Sequence, residues 1–303
     1  MREVRVLDLK SISLVVISPV RNEAENIKST IESMIAQTFK PVRWIIVDDG
    51  STDGTGEIVL KYSKEHDWIQ LIELPDRGFY DLMQGGEIKA FYRGFDSIPD
   101  LDWDFLAKLD GDISLERTYL HKVLMRFIEN PKLGIASGAC FNERKGVKVI
   151  EKVYEKHVRG AGRIYRKQCW DDISGVARDL AWDAVDVYKA RMLGWETASF
   201  EDIEMIHHVE TGTKDGAFRG FIRQGRVAYL MGIHPFFFLA KSGYFLTRRP
   251  RLIGSIGYHY GFVKSLFKGE KRIVDPELMK FIREEQKERM KTFFRSNRKN
   301  VNH

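Results

Sequence analysis

Two apolar runs in this chain each stop on a cluster of carboxylates. Trp44-Ile-Ile-Val47 leads into Asp48-Asp-Gly-Ser-Thr-Asp53, and Phe105-Leu-Ala-Lys-Leu109 leads into Asp110-Gly-Asp112. Short apolar runs bounded by turn residues read as buried strands. In an open α/β sheet, ligands bind outside the carboxyl ends of the strands. That arrangement would bring Asp48, Asp49, Asp110 and Asp112 to one crevice, although 62 residues separate Asp48 from Asp110. A divalent metal holding a diphosphate would explain four acids there, because hard cations take oxygen ligands and bridge to phosphates.

The rest of the chain supplies the sheet. Leu14-Val-Val-Ile-Ser18 is a short buried strand that Pro19 should force to end. Asn22 has the place of a helix N-cap with Glu25 in the capping-box position, and Ile27, Ile31, Met34 and Ile35 follow at helical spacing. Ile58, Val59 and Tyr62 mark the next helix, Ile69–Leu74 a strand, and Ile88, Phe91, Tyr92 and Phe95 a third helix before Phe105–Leu109. This βαβαβαβ alternation predicts a parallel sheet with helices on both faces. Further on, the pattern gives a helix after Leu115, a strand over Leu133–Phe141, and helices over Trp182–Leu193 and Phe218–Leu230. Met231–Phe267 is aromatic, Gly-rich and basic, and the chain closes on a charged helix striped by Leu278, Phe281 and Ile282. The expected organisation is one continuous unit: a domain over 1–235, in halves 12–115 and 116–235, then an extension over 236–303.

At 303 residues, 43% of them hydrophobic and 30% charged, the chain can bury a core and reads as a soluble globular protein. Its formal charge of +6 is concentrated late, in Arg248-Arg-Pro-Arg251, Lys268–Arg272 and Arg295–Lys299. Such a tail is a solvated, frayed end or a contact for an anionic membrane. The acids of the first half exclude a nucleic-acid groove there, since phosphate backbones select Lys and Arg. Cys140 and Cys169 fit neither a metal spacing nor a disulfide framework, which points to buried thiols in a reducing compartment. Met1–Lys10 lacks a signal-peptide pattern, and the apolar run Pro235–Ala240 is too short to span a bilayer. The expected location is the cytoplasm, extending to the inner face of the cell membrane if the basic segment binds lipid.

Ser18-Pro-Val-Arg-Asn-Glu23, Ile46-Val-Asp-Asp-Gly-Ser-Thr-Asp53 and Leu109-Asp-Gly-Asp112, in that order, resemble the inverting family 2 glycosyltransferases of GT-A fold. The resemblance covers roughly residues 12–235 and implies a nucleotide-sugar-binding half over 12–115 and an acceptor half over 116–235. It implies an α/β GT-A architecture, a Rossmann-like, mostly parallel sheet flanked by helices, here with a helical, aromatic C-terminal extension. It also implies that the loop bearing Pro19, Arg21, Asn22 and Glu23, together with Ser51, wraps the nucleotide base. Asp49 would accept hydrogen bonds from the base edge, a task suited to an acceptor-only carboxylate. The plainer reading of Asp48-Asp-Gly-Ser51 is a turn. Asp112 would be the direct metal ligand and Asp110 would face the ribose or share the metal, with Gly111 letting the backbone approach the diphosphate. Ser114 is a weak third candidate. Arg77 would pair with donor phosphate, whereas Lys89 and Arg93 equally suit an exposed helix face.

Inverting transfer needs a general base for the acceptor hydroxyl. Counting back from Gly194-Trp195, as the resemblance directs, gives Asp183, with Asp186 one helical turn on as the reserve. The chain departs from the family here, because Trp182 stands where Glu is usual; Glu201-Asp202 is a literal Glu-Asp pair but follows Gly194-Trp195. Gly160-Ala-Gly162 resembles the loop bordering donor sugar and acceptor. His207-His208 ends an apolar run, and His208 is the candidate third metal ligand. Arg223 and Arg226, with Arg219 and Gln224, lie on a helix where arginines could clamp a phosphate.

The resemblance therefore implies an Mg²⁺- or Mn²⁺-dependent inverting transfer of sugar from a nucleotide-diphosphate donor to a saccharide or lipid-linked acceptor, in polysaccharide, glycolipid or lipid-linked glycan synthesis. The aromatic-basic segment Met231–Arg272 suits a membrane surface; a homo-oligomer contact or a lid would have the same composition. Two rivals are a sugar-phosphate nucleotidylyltransferase, whose Gly-rich loop Ser18–Asn22 lacks, and a nucleotide-sugar-binding relative without transfer activity.

Overall fold

The computed structural model describes residues 8–76, 78, 85–144, 147–151, 157–209, 217–247 and 251–300. Arg77 and Arg248-Arg249 lie outside them. The chain divides into two compact units, Met1–Glu210 and Thr211–His303.

The first unit opens with the expected alternation: β1 (Leu14–Val20), α1 (Ile27–Ile35), β2 (Arg43–Asp48), α2 (Thr55–Glu65), β3 (Ile69–Glu73), α3 (Gly86–Phe95) and β4 (Phe105–Leu109). These four strands are parallel in the order β3-β2-β1-β4. Then come β5 (Ile113–Leu115), α4 (Tyr119–Glu129), β6 (Leu133–Arg144), β7 (Val147–Ile150), β8 (Gly162–Arg166), α5 (Lys167–Asp172), α6 (Trp182–Met192) and β9 (Glu196–His207). β8 joins β4 antiparallel and continues the sheet through β6 and β9 to β5, with β7 hairpinned onto β6. The parallel strands are apolar on both faces because helices cover both. Leu14, Val16, Trp44, Ile46, Phe105 and Ala107 face one core, which includes α1 and α4 side chains. Val15, Ile17, Ile45, Val47 and Leu106 face the other, with Ile88 and Phe91 of α3.

Two local readings are corrected. β1 runs through Pro19 to Val20 rather than stopping at Ser18, and Pro19 pairs with Val47. β4 pairs with β1 only as far as Ile17, so Pro19 occupies a stretch with one strand neighbour, where its missing N–H is tolerated. Asn22 is no helix cap: α1 begins five residues later, and Asn22 sits at φ 52°, a left-handed conformation that Asn accepts more readily than most residues.

The second unit holds α7 (Ala217–Leu230), α8 (Pro235–Thr247), α9 (Arg251–Phe267) and α10 (Pro276–Asn300). Helix α7, expected in the first domain, packs on α9 through glycines. A Cβ on Gly225 would fall 1.9 Å from the Tyr258 carbonyl, and one on Gly261 would fall 2.0 Å from that of Ile222. Leu278 and Ile282 bury the predicted stripe of α10.

Candidate active site

The carboxyl ends of β1 and β2 are joined by their own loops. Asn22 N donates to Ser51 Oγ at 2.9 Å, and Thr52 N to Asn22 Oδ1 at 2.9 Å. Glu23 N donates to Thr55 Oγ1 at 2.8 Å, and Ala24 N to Asp53 Oδ2 at 3.0 Å. Arg21 donates to the Asp49 carbonyl and pairs with Asp76 at 2.8 Å. The loop that the resemblance assigns to the base is thus stitched across to the Asp48–Asp53 turn. Asp48 is part of that stitching: its Oδ1 accepts from Ser51 N (2.8 Å) and Ser51 Oγ (2.5 Å). It belongs to the turn rather than to the crevice. Asp49 instead lines a cleft of about 370 Å³ with Pro75, Lys89, Tyr92, Arg93 and Arg178, within the size range of small-molecule sites. The Arg178 guanidinium lies 3.8 Å from the Tyr92 ring centroid.

Beyond β4, the two acids of Asp110-Gly-Asp112 have different partners. Asp110 pairs with Lys108, which also binds Glu87 on α3. Lys108 is fully buried in the strand, a position a lysine occupies only when paired. Burial would pull its ammonium down, but Asp110 and Glu87 outweigh this and hold it above the usual lysine range. Burial pushes the Glu87 carboxyl up against the pull of Lys108, and the charges of Asp110 and Asp183 add to the rise. Gly111 fits tightly: a Cβ there would lie 2.7 Å from Val20 Cγ1. Its carbonyl accepts from Thr30 Oγ1 at 2.8 Å.

Asp112 faces an imidazole, and it is that of His207 rather than His208. His207 Nε2 stands 3.4 Å from Asp112 Oδ2. His207 is the last residue of β9, in register with Ile113 and Asn142. His208, one residue on, turns its ring to Ser114 Oγ at 2.7 Å. The Nδ1 of His207 lies 3.6 Å from Glu151 Oε1, an ionic rather than hydrogen-bonding distance. Burial opposes a charged imidazole, yet Asp112, Cys140 and Glu151 outweigh it and push His207 up to about 12. Burial would likewise raise the Glu151 carboxyl, but His207, Arg159 and Asn142 hold it at about 2.

A carboxylate oxygen and an imidazole nitrogen 3.4 Å apart match two neighbouring ligand atoms on one divalent ion, and both types suit Mn²⁺ or Mg²⁺ sites. Cys140, Glu151 and His207 also bring their ligand atoms within 4.8 Å of one another. There, however, the Arg159 guanidinium lies 2.7 Å from Glu151 and already supplies the cation. The side of His207 facing Asp112 is the better candidate for a cation site.

Asp183 and Asp186 occupy opposite environments. Helix α6 starts from Ala181 at φ 67°, so Asp183 lies in its first turn rather than at the cap, and it is half-buried. The turn before β8 comes close, since a Cβ on Gly160 would be 3.6 Å from Asp183 Cβ. Trp182 fills the place where the resemblance led us to expect Glu. Its ring sits 5.0 Å from Lys108 Nζ and 5.4 Å from the Arg163 guanidinium, giving two cations an aromatic face. Asp186 points into the core, where it accepts from Arg163 Nη1 at 2.6 Å and Tyr165 Oη at 2.5 Å. Burial pushes its carboxyl up in spite of that pairing.

The remaining candidates are placed as follows. Gly162 is a strand residue of β8 opposite Leu109, not a loop residue. Its carbonyl accepts from Tyr119 Oη at 2.9 Å, and a Cβ would meet Met205 Sδ at 2.7 Å. Its smallness serves packing. Arg223 and Arg226 lie on α7 in the second unit, and Arg226 Nε pairs with Glu270 at 2.8 Å. Glu201 and Asp202 lie inside β9, beside the register shift between Gly138 and Ala139. Sequence reasoning missed Glu87, Lys108, Glu151, Arg163, Arg178 and the orientation of His207. Lys108 alone carried a signal, as a lysine inside an otherwise apolar strand.

Comparison with known proteins adds the following. The profile of glycosyl transferase family 2 matches residues 15–179. Glycosyltransferase GlyA of Streptococcus pneumoniae is 26% identical over 188 residues, covering 59% of this chain and 25% of that protein. Poly-beta-1,6-N-acetyl-D-glucosamine synthase of Staphylococcus aureus is 29% identical over 118 residues, covering 39% of this chain and 26% of the synthase. The matches span about a quarter of the length of these relatives. Among solved structures, the mannosyltransferase PcManGT of Pyrobaculum calidifontis in complex with GDP-Man and Mn²⁺ aligns with a TM-score of 0.59 at 16% identity, over 89% of this chain and 92% of that one. TarS 1-349 of S. aureus in complex with UDP aligns at 0.52 and 17% identity, over 85% and 72%. These structural likenesses speak to the fold.

Proposed function

The chain belongs to glycosyl transferase family 2, and from that premise we propose that it is a metal-dependent, inverting enzyme that moves a sugar from a nucleotide-diphosphate donor to an acceptor hydroxyl. One observation carries this reading. The ring of Trp182, the residue before Asp183, lies 5.0 Å from Nζ of Lys108, which pairs with both Glu87 and Asp110. A candidate base thereby neighbours the donor-side acids across more than seventy residues of sequence.

The residues divide the work by chemistry. The stitched loops around Asn22 and Ser51, with Asp49 in the cleft, would hold the nucleotide base. Lys108 holds Asp110 through Oδ1, and Asp110 would offer its other oxygen to the donor. Asp112 and His207 would hold the cation, which would neutralise the leaving diphosphate when bound. Asp183 would take the proton of the acceptor hydroxyl as its oxygen attacks the anomeric carbon. Direct attack in a single displacement inverts that carbon. A double displacement would need a second carboxylate as nucleophile, and Asp186, the nearest in sequence, is committed to Arg163 and Tyr165. The sugar and the acceptor remain classes: a nucleotide-linked sugar and a saccharide or lipid-linked hydroxyl.

The decisive test is calorimetric titration of UDP, GDP and dTDP with and without Mn²⁺, on the wild type and on Asp112→Ala. We expect one nucleotide to bind in a metal-dependent way, and Asp112→Ala to lose the metal-dependent part. Binding of none would reject the donor site; transfer-dead protein that still binds would favour a binding-only relative.

The same site predicts a pH dependence. Despite the burial of His207, Asp112, Cys140 and Glu151 hold its imidazole protonated well above the usual range, and a ligating imidazole must be neutral, so metal binding there would displace that proton. The affinity for Mn²⁺ should therefore rise with pH, by about tenfold per unit for one proton released. Mn²⁺ titrations at pH 6.5, 7.5 and 8.5, in buffers of different ionisation enthalpy, measure both the slope and the proton count. A flat profile would remove His207 from the ligand set.

A further inference from the structure

The second unit reverses the usual arrangement of an amphipathic helix. Along α9, the residues turned inward are small or glycine: Gly254, Gly257, Gly261 and Ser265, with Tyr258 between them. They let α7 approach until backbones touch, and the rings of Phe218 and Phe221 lie against Gly257 and Gly254. The residues turned outward are the large apolar ones. Leu252, Ile253, Ile256, Tyr260, Val263 and Phe267 recur at helical spacing along one side, with Leu252 69%, Ile256 58% and Phe267 87% exposed. Helix α8 buries Phe238 and Phe245 but also leaves Phe236 71% and Leu239 58% exposed. A helix facing water places its large apolar side chains inward. Close packing through small residues with bulky apolar groups outside is the pattern of helices bathed in lipid. No described helix is long and apolar enough to cross a membrane, so the surface would lie along a bilayer rather than through it.

Charge points to the same occupant. From residue 216 to residue 269 there is no Asp or Glu, while nine Lys and Arg occur. The whole segment 211–303 holds 20 Lys and Arg against seven Asp and Glu, a formal charge of +13 in a chain whose total is only +6. The first unit is therefore net acidic, and the basic excess is confined to the unit that carries the exposed apolar face. Lys264 and Lys268 stand exposed beside that face. Two copies of a face that carries Lys264 and Lys268 would bring like charges together, whereas an anionic phospholipid surface attracts both its apolar and its basic parts.

From this we propose that the α8–α9 face docks in the plane of an anionic phospholipid bilayer, with Ile256, Val263 and Phe267 entering the acyl boundary and Lys264 and Lys268 at the headgroups. The proposal does not rest on the transfer reading. The test is co-sedimentation of the full chain with vesicles of phosphatidylcholine alone or mixed equally with phosphatidylglycerol, at low and high salt. The wild type should pellet with anionic vesicles and be released by salt. Ile256→Glu with Val263→Glu should lower the apparent vesicle affinity at least tenfold. Both side chains are exposed, so thermal unfolding and nucleotide affinity should be unchanged. Lys264→Glu with Lys268→Glu is the second variant, expected to abolish the preference for anionic vesicles. Failure of the wild type to bind at low salt, or undiminished binding by the Ile256→Glu/Val263→Glu protein, would overturn the proposal. A dimer in light scattering that these substitutions dissociate would assign the face to a second copy and overturn it equally.

Discussion

Asp183→Asn should lower kcat by about 10²- to 10⁴-fold, the span a positioned general base contributes, while leaving nucleotide affinity within error of the wild type. The substitution preserves the shape of the side chain and removes only its ability to take a proton. Asp186, on the same helix, cannot substitute: it is 1% exposed and held by Arg163 and Tyr165. The measurement is transfer rate at saturating donor, paired with calorimetry on the nucleotide. Turnover near the wild-type value would assign the base elsewhere. A loss of nucleotide binding instead of turnover would mean that Asp183 acts through the Glu87–Lys108–Asp110 cluster on the donor side.

Asp186→Ala should act on stability, lowering it by about 3–5 kcal/mol, the usual result of removing one partner from a buried ion pair. The guanidinium of Arg163 is fully buried, and Asp186 is its carboxylate partner at 2.6 Å. The phenol of Tyr165 would lose its acceptor as well. Urea unfolding followed by circular dichroism gives the number. Arg163→Met combined with Asp186→Leu should recover much of the loss, because a well-packed apolar pair is often as stable as a buried ionic one. If Asp186→Ala unfolds like the wild type, the pair contributes nothing and the case for Asp186 as a structural residue fails. Together the two substitutions separate neighbours that the sequence presents as alternatives.

What could be read in advance follows the range of each interaction. The parallel core was legible because apolar runs and turn residues are local signals, and the carboxylates at the ends of β2 and β4 mark the site without any tertiary information. Asp183 and Asp186 were not separable, since a spacing of three places two residues on neighbouring parts of a helix surface without telling which part meets the core. His207 and His208 posed the same problem with a period of two: the register of β9 against β5 decides which ring meets Asp112. Asp48 looked like a site acid because its partner, Ser51, answers to a turn and to a ligand loop alike. Glu87 and Arg178 became visible only when α3 and the segment before α6 were laid against β4 and the cleft. The division of the chain was misjudged for a related reason. Nothing local in Phe218–Leu230 says that Gly225 will press against α9 rather than α7 joining the sheet.

If these loops hold the donor as proposed, the hydrogen bonds that bind the loop after β1 to the turn after β2 bear on how it is captured. Asn22, Glu23, Ala24, Ser51, Thr52, Asp53 and Thr55 hold one another in place before any ligand arrives. A nucleotide entering that end of the sheet would meet a surface whose conformational entropy was already lost when the chain folded. Little of its contact energy would then be consumed in ordering protein, so modest contacts would suffice for useful affinity. Discrimination between bases would follow from rigid mismatch at Asp49 and the cleft wall rather than from a loop that reshapes itself around each candidate.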